Sequence, residues 1–348
     1  MPGTVTSETE LIRTYLAPLT RGFAGAFDLT DDAALISVAE GFDLVVTSDP
    51  IIAGVHFFPT DRADDIAWKA LAVNVSDLVA KGAEPLAYIL TLAFPEPPSH
   101  DWMATFASGL DSAQREFGCS LAGGDTDRTR GVLSIGITAF GRVPKGAFVR
   151  RQGVRAGDHV YVTGTIGDSA LGLDERSGRL RKESALTEGE LSFLAGRYLR
   201  PNPRIGLTHA LRACARAALD ISDGLIKDLR RLAGASGITV PFEQIPLSPP
   251  AAKLVAGDAS MVERIVAGGD DYEVLVAVAG EDAVAFEDAA AAAGVMVTNL
   301  GVLSEGCDVT ILGPDGVPIR PSSPGYDHFS SPRPGHGSDA GSGGESGA

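Results

Sequence analysis

Apolar and polar positions along the chain follow two different periods, and the changes of period mark its elements. Over residues 63–81 and 102–117, apolar side chains recur every three or four positions, which predicts two amphipathic helices. Short aliphatic runs at 44–47, 133–137 and 159–163 predict strands. Residues 141–157 are rich in Gly and Arg and poor in large apolar side chains, so a domain boundary is expected near residue 150. Beyond it, helices are predicted around 191–198 and 207–218, and strands at 272–278 and 295–300. Trp68, Trp102 and Phe117 sit at helical spacings among apolar residues and read as core. No short-period repeat is present. The expected class is α/β or α+β in two domains, 1–150 and 151–329, with mixed sheets packed against helices.

Residues 330–348 contain 6 Gly, 5 Ser and 2 Pro and no large aliphatic side chain, so a disordered tail is expected there. Across the 348 residues, 29 Lys and Arg face 45 Asp and Glu, a formal charge of −16. A chain this acidic is a poor match for a nucleic acid or an anionic membrane surface. Cys119, Cys214 and Cys307 are far apart and form no CxxC, which points to a reducing compartment, the cytoplasm. The first residues show no basic stretch followed by an apolar one, so no secretory leader is expected. The longest charge-free apolar stretch, 289–304, is interrupted by Gly294, Thr298 and Asn299 and is too short to span a bilayer.

The chemistry is first visible in what is missing: there is no GxxxxGK[ST], GxGxxG, HExxH or GxSxG, and no paired Cys/His ligand set. What recurs is an apolar run ending in small or hydroxyl residues and then Asp. It occurs at Asp49, Asp77, Asp125 and Asp223, beside the pairs Asp31-Asp32 and Asp270-Asp271. A single such Asp reads equally well as a helix cap or a turn. If several converge, like charges at ~4 Å repel by about 4 kcal/mol per pair at intermediate dielectric, and bound cations relieve this. An all-oxygen donor set selects a hard ion, Mg²⁺ above all, which borrows phosphate oxygens as further ligands. Gly-Gly pairs before Asp125 and Asp270 would let backbone N–H groups approach a phosphate. The basic segment 145–151 could clamp one between domains.

Taken in order, these segments resemble the thiamine-monophosphate kinases of the aminoimidazole-ribonucleotide-synthetase-like superfamily. The resemblance runs from about Glu8 to Phe329 and is carried by eight segments. They are Asp31-Asp-Ala-Ala-Leu35, Thr47-Ser-Asp49 through His56, Lys69 through Leu78, Gly123-Gly-Asp-Thr126 and Thr163 through Ala170. Asp220-Ile-Ser-Asp-Gly224, Gly268-Gly-Asp-Asp-Tyr-Glu273 and Gly325-Tyr-Asp-His-Phe329 complete the set. The resemblance implies ATP-dependent phosphorylation of thiamine monophosphate to thiamine diphosphate, the last step in making that cofactor, by a cytoplasmic homodimer joined through its N-terminal domains. It places Asp32, Thr47, Ser48, Asp49, Asp77, Asp125, Asp220 and Asp223 on Mg²⁺ positions. Gly124, Asp125, Arg151 and Ser222 fall on ATP positions, and His56, Asp270 and Ser323 on substrate positions. No catalytic base or covalent nucleophile is implied.

Four departures stand out. Thr30 occupies a usual Gly, Pro50 a usual Thr, and Asp270 a usual Glu, so that a substrate contact there is expected through water. Ser322-Ser-Pro324 stands where relatives often carry an aromatic residue. The alternatives are a sister enzyme of the superfamily, a Mg²⁺-dependent phosphohydrolase and a non-catalytic nucleotide- or metal-binding regulator. A selenophosphate-synthetase-like sister would need a reactive Cys near the N-terminus, whereas the first Cys is Cys119.

Overall fold

The computed structural model describes residues 3–180 and 186–321. A short helix α1 (Glu8–Leu11), capped by the Ser7 side chain, precedes the first sheet. That half comprises β1 (Phe42–Ile52), α2 (Ala63–Ala80), β2 (Glu84–Phe94), α3 (His100–Phe117), β3 (Ser120–Arg128) and β4 (Ser134–Pro144). The strand order is β1-β4-β2-β3, with β2 and β3 parallel and the other pairs antiparallel. Along β4 every second residue is buried, from Ile135 to Val143, so the sheet turns one face to the helices and leaves the other open. On that open face Leu44 and Val46 are 40% and 54% exposed, while Val45 between them is buried.

Helix α3 is amphipathic as its period predicts. Ser99 caps its start by accepting from the Trp102 amide, and Gly118 ends it in a left-handed conformation. Trp102 stacks on Phe106 with ring centroids 4.9 Å apart, and Trp68 meets Phe117 edge-on at 5.0 Å. Phe117 is buried and both tryptophans pack against the core half-buried, in line with the reading of all three as core.

Helix α2 differs from α3 in being buried nearly all round. One side packs on β1, β4 and α3. The other meets the second half of the chain, at the helices α5 (Glu188–Leu199) and α6 (Thr208–Cys214) and the strand β6 (Ala215–Asp220). A helix in this position can carry polar side chains only where partners from both halves satisfy them, and the site is built on that constraint.

The second half begins at β5 (His159–Thr163) and α4 (Asp168–Arg176), ahead of α5, α6 and β6. It continues through α7 (Leu225–Ala233), β7 (Ser236–Pro241), α8 (Pro249–Gly257), α9 (Met261–Ala267) and β8 (Val274–Val278). The last elements are α10 (Ala283–Ala292), β9 (Val297–Val302), β10 (Ser304–Glu305) and β11 (Val309–Leu312). An antiparallel sheet runs β6-β8-β5-β9, and a small mixed one β10-β7-β11. The run 207–218, read from its pattern as one helix, divides: α6 stops at Cys214 and the chain becomes β6, paired with β8. Its alanines favour a helix, but pairing with the fully buried β8 overrides that preference. Among the described residues no helix is long and apolar enough to cross a membrane.

Candidate active site

The C-terminal turns of α2 bring side chains of the two halves into contact. Asp77 accepts a hydrogen bond from Thr47 Oγ1 of β1 at 2.6 Å, and Ser76 Oγ donates to Asp220 Oδ2 at the end of β6, also at 2.6 Å. Thr47, Asp77 and Asp220 are thus brought together from three elements. Burial, and then the charge of Asp77, hold the Asp220 carboxyl well above the usual carboxylate range. Lys81, one turn beyond Asp77, does not pair with either acid. Its Nζ donates to the Ala218 carbonyl at 2.8 Å, and burial lowers its pKa against the raising effect of Asp220 and Asp77. Arg151 is close enough to lower it further, which brings that residue to the same place.

Asp49 is tied to α2 through its backbone: its amide donates to Asn74 Oδ1 at 2.9 Å, and Asn74 Nδ2 donates back to the Asp49 carbonyl at 3.3 Å. Tyr272 is held well above its ordinary pKa first by burial and then by the carboxylates of Asp270, Asp220 and Asp49, so these acids share one region. Ser222 and Asp270 meet through the backbone, Asp270 N donating to Ser222 O at 2.9 Å. Gly269 makes this possible, because a Cβ there would lie 2.3 Å from the Ser222 carbonyl oxygen. His56 follows β1 in a turn where the Ile52 amide donates to its Nδ1 at 3.0 Å, leaving Nε2 to carry the proton of the neutral ring.

The remaining candidates lie elsewhere. Ser48 shares a 2.9 Å hydrogen bond with Thr138 Oγ1 on the open face of the first sheet. Asp125 is on that same face, where it lines a cavity of about 190 Å³ with Pro50, Thr91, Asp127 and Gly136. Gly124 precedes it in β3, paired with Leu90. Asp32 is exposed, its amide donating to Asp31 Oδ1 at 2.8 Å, in a loop whose Ala34 reaches β3 at Gly123. Asp223 pairs with Lys227 at 3.0 Å and Arg231 at 2.6 Å. Ser323 falls outside the described residues, as do the closing motif 325–329 and the segment expected to be a disordered tail. Among the described residues no three His, Cys, Asp or Glu side chains are grouped to hold a metal ion by themselves.

Sequence reasoning missed the buried charged groups that surround these candidates. Thr163 Oγ1 donates to Glu273 Oε2 at 2.6 Å, and Arg197 and Arg204 both pair with the same buried carboxylate. Asp271 accepts from the Gly167 and Ser169 amides at 2.8 and 3.2 Å, and burial pushes its carboxyl up to about 8. Lys69 is fully buried beside His56 and Asp270. Each lies in a segment of recognisable pattern, but its partners are far away in sequence, so spacing gave no signal.

Residues 30–143 match the N-terminal domain, and residues 155–313 the C-terminal domain, of the family described as AIR synthase related protein. The chain is 41% identical over 321 residues to the thiamine-monophosphate kinase of Caulobacter vibrioides, covering 90% of this chain and 89% of that protein. The crystal structure of thiamine-monophosphate kinase from Stenotrophomonas maltophilia K279a superposes with a TM-score of 0.77 at 36% identity, covering 88% of this chain and 98% of that one. AaThiL complexed with AMPPCP and TMP superposes with a TM-score of 0.71 at 30% identity, covering 86% of this chain and 91% of that one.

Proposed function

The chain belongs to the thiamine-monophosphate kinase family of AIR synthase related proteins, and we propose from this that it transfers the γ-phosphoryl group of ATP to thiamine monophosphate, giving thiamine diphosphate and ADP. Likeness to kinases of that name over nearly the whole chain carries the reading. A bond forms between a phosphate oxygen of the acceptor and the γ-phosphorus, and the bond from that phosphorus to the β-phosphate oxygen breaks. The acceptor is a phosphate monoester, whose second pKa near 6 leaves it ionised at neutral pH. No side chain is needed as a general base, and none is assigned.

The difficulty lies in bringing two anions into an acidic chain. The donors Thr47, Asp49, Asp77 and Asp220 offer oxygen alone, and the carboxylates of Asp77 and Asp220, brought together through Thr47 and Ser76, form a set whose repulsion a cation would relieve. Such a set suits Mg²⁺, which takes one or two protein carboxylates and completes its shell with water and phosphate oxygens. When bound, Mg²⁺ would neutralise and orient the two phosphates. Asp32, Ser48, Asp125 and Asp223, which lie apart from these four in the single chain, stay in the proposed ligand set on the resemblance alone, as do Gly124, Asp125, Arg151 and Ser222 as ATP contacts and His56, Asp270 and Ser323 as substrate contacts.

The remaining proposals rest on separate observations. Exposed Leu44 and Val46 on the open sheet face support a homodimer formed there, and a monomer in sedimentation would remove that reading. Three free cysteines support a cytoplasmic setting, which secretion in oxidised form would contradict. The change of sheet between Pro144 and His159 supports domains of 1–150 and 151–329. Failure of either half to fold when expressed alone would count against that division.

The test is to incubate protein, ATP and Mg²⁺ with thiamine monophosphate, and separately with formylglycinamidine ribonucleotide, and to identify products by mass. Thiamine diphosphate and ADP are expected from the first and no turnover from the second. Turnover of the ribonucleotide alone would move the assignment to the sister enzyme, and phosphate release without an acceptor product would move it to a hydrolase.

A further inference from the structure

Lys69 lies in the middle of α2 with 2% of its side chain exposed, a rare depth for an ammonium group. Its Nζ is 2.9 Å from the His56 carbonyl oxygen, 2.9 Å from Asp270 Oδ2 and 3.6 Å above the centroid of the Tyr198 ring. Tyr198 donates its hydroxyl to the same His56 carbonyl at 3.0 Å, and the Tyr272 hydroxyl reaches Asp270 Oδ1 at 3.3 Å. Both oxygens of Asp270 are therefore engaged, by groups from opposite halves of the chain. The loop they hold is not a relaxed one. Asp270 and Tyr272 have φ of 71° and 51°, a left-handed backbone that non-glycine residues keep only where surrounding contacts enforce it.

We propose that Lys69 is the positioning residue of the acceptor subsite: its single ammonium fixes the His56 turn and the Asp270 carboxylate together, so that the thiamine end of the substrate meets a preformed wall. This rests on the reading above, in which thiamine monophosphate is the acceptor and His56 and Asp270 contact it. Charge-assisted hydrogen bonds to a carbonyl and a carboxylate define two directions at once, and the tyrosine face behind the ammonium closes a third. Without that charge, the His56 turn and the Asp270 loop must be ordered anew at each binding event. That burden falls on the acceptor rather than on ATP.

Lys69→Met in the full chain removes the charge and keeps the length. The expected result is a KM for thiamine monophosphate raised by about 10- to 100-fold, with the KM for ATP within about twofold of the native value. A change confined to kcat, or equal changes in both KM values, would assign Lys69 to general stability and overturn the proposal. Should Lys69→Met fail to fold, the double variant Lys69→Met/Asp270→Asn, which leaves no acid facing the lost ammonium, is compared with Asp270→Asn alone. Because Lys69 also holds the His56 carbonyl, adding Lys69→Met to Asp270→Asn is expected to raise the acceptor KM by a further factor of about three or more with the KM for ATP within about twofold, and equal changes in both KM values would contradict the proposal. The native protein in the same assay distinguishes a failure of the Lys69 role from a failure of the assigned reaction. Native turnover of thiamine monophosphate with an unchanged variant KM sinks the role of Lys69 alone, whereas absence of native turnover sinks both.

Discussion

Replacing Asp77 by Asn is expected to lower kcat/KM by about 10²–10³, the usual effect of removing one preorganised electrostatic contact. The substitution keeps the side chain's size and its ability to accept from Thr47 Oγ1, now 2.6 Å away, but removes a charge proposed to hold Mg²⁺. The fold should not suffer. Asp77 raises the pKa of Asp220, so neutralising it relieves a repulsion, and the thermal midpoint without Mg²⁺ should stay level or rise. Asp127→Asn is the matched control: Asp127 is exposed and its Oδ1 accepts from the adjacent Arg128 amide at 2.6 Å, its only hydrogen bond among the described residues. Steady-state kinetics with the two variants side by side check the assignment. Should Asp127→Asn prove the more damaging change, Asp77 is not a ligand.

The second large effect is on stability. Glu273→Gln keeps the shape of a side chain that is 0% exposed but leaves Arg197 and Arg204, 14% and 21% exposed, without their shared counter-charge. Breaking one side of a buried ion pair costs about 3–5 kcal/mol, because the other side stays buried and unpaired. For a chain of 348 residues that is a fall of roughly 4–7 °C in thermal midpoint. Calorimetry or chemical denaturation checks it. A midpoint within a degree of the native value would mean that water already screens the cluster.

Glu273 also illustrates how far the sequence could be read. It closes the segment Gly268 to Glu273, whose glycines and acids were legible as a site. Its role was not, because its partners Thr163, Arg197 and Arg204 come from three other stretches of chain. Helix α3 was visible because a long stretch of helical period is bounded by Ser99 and Gly118, whereas α2, whose start has no capping side chain, was visible through its long run without a helix breaker. Strand β2 went unnoticed: it runs through the sheet interior between β4 and β3, and its apolar run shows no clear alternation to announce a strand.

The candidate acids were found by their recurrence, and the structure shows why they differ. Asp77 accepts from the hydroxyl of Thr47, and Asp220 from that of Ser76 beside Asp77. Asp223 has the same local pattern but turns to Lys227 and Arg231 on α7, two cations that follow it within eight residues. Pattern alone cannot tell these cases apart, because the difference lies in which cations the tertiary fold brings nearby. Lys69 shows the same limit in reverse. Its charge was plain in the sequence, but its partner Asp270 is 201 residues away.

If catalysis is positioning, two phosphates are held in line and the phosphoryl group passes directly between them, without a phosphorylated enzyme. The stereochemical course at the transferred phosphorus tests this most directly, using ATP carrying a chirally labelled γ-thiophosphate and thiamine monophosphate as acceptor. Direct in-line attack predicts inversion of configuration. Net retention would mean two displacements through an enzyme group, contradict the account, and make Asp49, Asp77 and Asp125 candidates for a covalent intermediate.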